Sequence, residues 1–128
     1  MKQVYFKIPI YEWDVSIVTI YNEQDEQPLR ELLTNIDADK EGMQQDLYSV
    51  RTHAMNGGDT WRDPGNRRAI IVIFPWSDMT VFWEVINHEK RHLVDRILEW
   101  ANINDMEAAA YLDGAISKML FSKIKELL

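Results

Sequence analysis

The spacing of apolar residues divides the chain into short extended stretches and longer helical ones. Val4-Tyr5-Phe6-Lys7-Ile8 and the segment Trp13 to Tyr21 are rich in β-branched and aromatic residues and lie either side of Pro9, which predicts two adjacent strands. From Pro28 the period changes. Leu29, Leu32, Leu33 and Ile36 recur at helical spacing, and proline suits a first helical turn. After Asp39, the stripe Met43, Leu47 and Val50 predicts a second helix. Gly57-Gly58 and Pro64-Gly65 are turn chemistry, so Met55 to Asn66 reads as a loop with a short extended piece at Thr60-Trp61-Arg62. Ala69 to Phe74 is an unbroken apolar run, the pattern of a strand buried on both faces, and Pro75 ends it. Ser77 or Asp78 can cap a long helix through about Ala101, with Phe82, Ile86, Leu93 and Ile97 along one side. Asn102 to Asp105 breaks it, and a last helix runs from about Asp105 towards the C-terminus. So short a connection predicts neighbouring antiparallel helices. The order β-β-α-α-β-α-α is α+β, a small β-sheet packed by helices.

Composition narrows this outline. A chain of 128 residues predicts a single domain, 1-128, and 46% apolar residues with 5 Trp, 5 Tyr and 4 Phe can fill one core. Acidic residues outnumber basic ones, 21 to 14, for a formal charge of -7, which argues against phosphate-backbone binding and so against a nucleic-acid partner. The absence of cysteine removes disulfides, thiolate metal sites and a cysteine nucleophile. The longest apolar run, Ala69 to Trp76, is too short to span a bilayer, and polar residues interrupt the segment after Met1 where a signal peptide would need an apolar core. The expectation is a cytoplasmic protein with no membrane partner.

One feature carries chemistry. His88-Glu89-Lys90-Arg91-His92 has the form H-E-x-x-H and lies inside the long helix, the context that gives the spacing meaning. Residues i and i+4 sit one turn apart on one face, so two imidazoles can converge on one cation. Imidazole nitrogen suits zinc, and a neighbouring glutamate can exchange protons with a water held at a catalytic zinc. Glu89 also interrupts the Phe82–Ile86–Leu93–Ile97 stripe, where an unpaired carboxylate is costly to bury. Solvated charge on a long helix is the plainer use of such residues, and Lys90 and Arg91 read that way.

His88 to His92, followed by Glu107-Ala108-Ala109-Ala110-Tyr111-Leu112, resembles the small zincin metallopeptidases of the gluzincin type, among them minimal ones of bacteria, phages and mobile elements. The similarity spans about Ile70 to Leu120. It implies a zincin-like fold in which Zn2+ is bound by His88, His92 and Glu107, with Glu89 as general base. It also implies that the strand Ala69 to Phe74 resembles the family's substrate-binding edge strand, which pairs with an extended peptide. The residues themselves leave the third ligand open. Asn104-Asp105-Met106-Glu107 can be a capping arrangement with Asn104 at the N-cap. If the long helix reaches Ala101, His92 lies about 13 Å from its end while Glu107 climbs only about 4–5 Å, so a level hairpin would bring Asp113 opposite His92 instead.

Other residues have two readings each. Asp95 can accept an imidazole N–H from His92 or pair with Arg91 or Arg96, and Tyr111 can donate to an oxyanion or pack on the long helix. His53 is a capping or surface residue, Trp61 and Trp76 are core or cleft wall, and Arg62, Arg67 and Arg68 form a small basic cluster that balances nearby carboxylates. The Gly57–Gly65 loop lacks phosphate-cradle spacing. The expected function is a zinc-dependent metallopeptidase acting on a peptide or protein. The rival is a catalytically inactive zincin-like interaction module of a phage or mobile element.

Overall fold

Strand β1 (Lys2–Lys7) and strand β2 (Asp14–Thr19) pair antiparallel across the turn that contains Pro9, in a computed structural model that describes every residue from Met1 to Leu128. Helices α1 (Glu26–Asn35) and α2 (Lys40–Arg51) follow, then strands β3 (Gly58–Asp63) and β4 (Arg68–Ile73), and finally helices α3 (Met79–Trp100) and α4 (Met106–Lys123). The result is α+β, a four-stranded mixed sheet in the order β1-β2-β4-β3 with four helices. β2 and β4 run parallel, and the chain between them passes through α1, α2 and then β3, which starts level with the end of β2 and runs back to the start of β4. β3 and β4 form an antiparallel hairpin closed by a 3-10 turn at Pro64–Asn66, with Arg67 in the left-handed region at φ 49°.

Strand alternation gives each sheet face its own core. Val15, Ile17, Ala69, Ile71 and Ile73 point to one side, where Phe82, Ile86, Leu93 and Ile97 of α3 and Leu112, Ile116 and Leu120 of α4 cover them. Val18, Ile20, Ile70, Val72 and Phe74 point to the other, against Leu29, Leu33, Leu47 and Val50 of α1 and α2. The apolar run in β4 follows from this, because an interior strand between two helical layers buries both faces. That position corrects the edge-strand role expected of Ala69 to Phe74. β4 lies between β2 and β3, and the exposed edges of the sheet are β1 and β3.

The short extended piece expected at Thr60-Trp61-Arg62 is the middle of β3, which is longer than expected and adds one strand to the predicted order. Its sequence, Gly-Asp-Thr-Trp-Arg-Asp, has a single β-branched residue and no apolar alternation, so pairing with β4 rather than local propensity extends it. The caps agree better with the pattern. Asp39 accepts the Gly42 N–H at 2.9 Å ahead of α2, and Asp78 accepts the Val81 N–H at 3.0 Å ahead of α3. At α4 the cap is Asp105, not Asn104, and it accepts the Glu107 N–H at 2.9 Å. α3 and α4 form the expected hairpin. Half-way along it Lys90, expected in solvent, is instead buried and places its ammonium 2.7 Å from Ser117 Oγ and 3.4 Å from Asp113 Oδ1. No helix is long and apolar enough to cross a membrane.

Candidate metal centre

α3 carries residues 88–92 along its middle, and its inner face is held to the sheet by the apolar stripe already described. Glu89 belongs to that inner face and is only 5% exposed, whereas His88 and His92 lie a little further round the helix, in solvent. The two imidazoles meet there, with Nε2 atoms 3.0 Å apart and the rings nearly perpendicular at a centroid distance of 4.6 Å. Glu89 Oε2 is 3.9 Å from His88 Nε2. One donor atom from each of His88, Glu89 and His92 can be chosen so that all three lie within 4.8 Å of one another.

The buried carboxylate is oriented by the edge strand. Thr60 Oγ1 donates to Glu89 Oε1 at 2.8 Å and sits 3.2 Å from the Glu89 main-chain oxygen. This close approach of α3 to β3 depends on Gly58. A Cβ there would lie 2.7 Å from the Val72 carbonyl oxygen and 3.0 Å from Glu89 Cγ. Asn56, Gly57, Gly58, Glu84, Val85, His88 and Glu89 line an open cleft of about 380 Å³ at the start of β3.

A second acidic group backs the same strand from the opposite face. Trp61 alternates with Thr60, so its ring points towards α2, where the indole N–H donates to Asp46 Oδ2 at 2.8 Å. Gly42 makes room for that ring, since a Cβ would stand 2.7 Å from its edge. Burial pushes the Asp46 carboxyl up to about 7, helped by the charge of Asp59, a hydrogen bond with Asp59 and the more distant Glu89, and opposed by the Trp61 N–H. Asp59 also accepts the Thr60 N–H at 2.9 Å. Sequence reasoning missed Thr60, Asp46 and Asp59. Nothing in their local pattern marks them, because their proximity exists only once β3 has joined the sheet.

The donor set suits zinc in two of its positions. Two imidazole nitrogens at ~2.0–2.1 Å from one tetrahedral ion stand about 3.3 Å apart, close to the separation of the Nε2 atoms. Glu107 is not brought to this group. It lies exposed in the first turn of α4, and the near-level hairpin sets α4 against α3 through Asp113 and Ser117 instead. Asp113 pairs with Lys90, not with a histidine. Asp95 pairs with Arg91 at 3.2 Å, and Tyr111 is 80% exposed rather than packed on α3. His53, just past α2, faces Glu23 at 3.6 Å. Trp61 and Trp76 are half-buried and pack against the two cores. Arg62, Arg67 and Arg68 each meet a carboxylate, at Glu99, Glu12 and Asp63.

No family model matches the chain, and no curated protein or solved structure matches it either.

Proposed function

We propose that His88 and His92 hold a zinc ion and that the chain hydrolyses peptide bonds with Glu89 as the proton acceptor. The observation that carries this reading is the 3.0 Å separation of the two Nε2 atoms beside a buried, oriented carboxylate. Zinc, when bound, would polarise a scissile carbonyl and make a water acidic. Thr60 engages Glu89 Oε1 and leaves Oε2, on the His88 side, to take a proton and return it to the leaving amine. The edge strand β3 supports an extended substrate alongside the cleft, since its outer side has no neighbouring strand. This reading keeps the zincin-like assignment and moves the substrate edge from β4 to β3.

A second reading, a catalytically inactive interaction module on the same scaffold, is favoured by one observation. Glu107 stands apart from the histidines, and no ligand from α4 completes the set. Zinc titration of the purified chain, together with hydrolysis of an unfolded protein such as casein, separates the two. The enzyme reading expects near-stoichiometric zinc that His88→Ala loses, and hydrolysis that Glu89→Gln loses while keeping zinc. Zinc binding without hydrolysis selects the module, and absence of both rejects the metal site.

A further inference from the structure

The outer face of α4 has no partner within the chain. Glu107, Ala110, Tyr111, Gly114 and Lys118 project from it within about 100° of arc, at 3.6 residues per turn. With Ala115 they line a shallow groove of about 490 Å³. Tyr111 is 80% exposed, more than any other aromatic side chain of the chain. Gly114 is the second anomaly. Glycine inside a helix costs roughly 1 kcal/mol relative to alanine, yet nothing lies within 4 Å of where its Cβ would stand. Unlike Gly58 and Gly42, it accommodates no neighbour in the fold.

Charge and register point to one occupant. The two charged residues of the stripe, Glu107 and Lys118, stand at opposite ends of the groove. We propose that α4 pairs antiparallel with α4 of a second copy of this chain, about a two-fold axis between Leu112 and Asp113. In that register Glu107 lies level with Lys118 of the other copy, Tyr111 with its Gly114, and Ala110 with its Ala115. Each tyrosine ring then covers the notch left by the opposing glycine, and the Glu107–Lys118 ion pair forms twice by symmetry. A parallel pairing would instead set Glu107 against Glu107 and Lys118 against Lys118, which is repulsive. The contact is independent of zinc and of the reading of the histidines, because none of its residues belongs to that site.

Sedimentation velocity of the full 128-residue chain, from micromolar to millimolar concentration, tests it. The expected result is a reversible shift to twice the chain mass. Lys118→Glu weakens the association by about tenfold or more, since two attractive pairs become repulsive. The exchange Glu107→Lys with Lys118→Glu in one chain restores it. Circular dichroism of each variant shows whether the helices remain formed. A chain that stays monomeric throughout overturns the proposal. So does a dimer indifferent to Lys118→Glu, or one the double exchange fails to rescue in a folded variant.

Discussion

Thr60 on the edge strand donates its hydroxyl proton to Glu89 on α3 at 2.8 Å, joining the carboxylate beside the two histidines to the sheet. Glu89 is otherwise a charge placed in an apolar stripe, and this bond is what satisfies it there. Replacing Thr60 by valine keeps the shape and removes the donor. The expected cost is about 1–3 kcal/mol, the price of leaving a buried acceptor unpaired. Urea denaturation measures it. If Glu89 is also the proton acceptor, the same variant loses turnover while zinc affinity holds, so an unchanged rate would argue against that role.

Zinc binding to the folded chain alone should raise its thermal midpoint. At free zinc about a hundred times the dissociation constant, the gain is roughly 3 kcal/mol. His88→Ala and His92→Ala should each abolish the shift, while Glu107→Ala should leave it in place, because Glu107 does not reach the cluster. A differential scanning experiment in which Glu107→Ala alone removes the zinc effect would show that α4 moves to supply a ligand.

The Asp46 carboxyl predicts an unusual pH dependence. Unfolded, it releases its proton near 3.8, whereas folded it keeps it up to about 7. The native state therefore binds the extra proton between those values, and stability falls as pH rises through that window. The full shift would be worth at most about 4 kcal/mol, and residual contact with water reduces this to the order of 2 kcal/mol. Asp46→Asn keeps an acceptor for the Trp61 indole and removes the titration. It should be more stable than the parent chain by ~1–3 kcal/mol near pH 8 and about equal to it near pH 4.5. Parallel denaturation curves at both pH values would contradict the prediction if the difference between the two proteins stayed constant.

Gly58→Ala places a methyl group 2.7 Å from the Val72 carbonyl oxygen and 3.1 Å from Val85 Cγ1. Backbone on one side and a helix on the other cannot both yield, so β3 must shift from α3. A loss of about 1–3 kcal/mol is expected, typical of overpacking. Zinc affinity should be little changed, since both histidines lie on α3 and keep their one-turn spacing. Equilibrium unfolding with and without zinc reads the two effects separately, and an unaltered stability would mean the strand is not held as closely as its contacts imply.

Local pattern in the sequence determined much of this molecule. The helical periods ending at Ile36 and Val50, the caps at Asp39 and Asp78, the apolar run of β4 and the long α3 all depend on neighbours a few residues apart, so their spacing is enough. The convergence of His88 and His92 is legible for the same reason, because one helical turn separates them whatever the rest of the chain does. Tertiary structure alone decided the rest. β3 becomes a strand because β4 offers it an edge, and Gly58, Thr60, Asp59 and Trp61 acquire their contacts only then. The neighbours of Glu107 depend on how α4 returns along α3, a relation set by the Lys90–Asp113–Ser117 contact and the packing beneath it. Side chains brought together by the meeting of separate elements leave no period in the sequence, since their partners are chosen by long-range packing rather than by spacing along the chain.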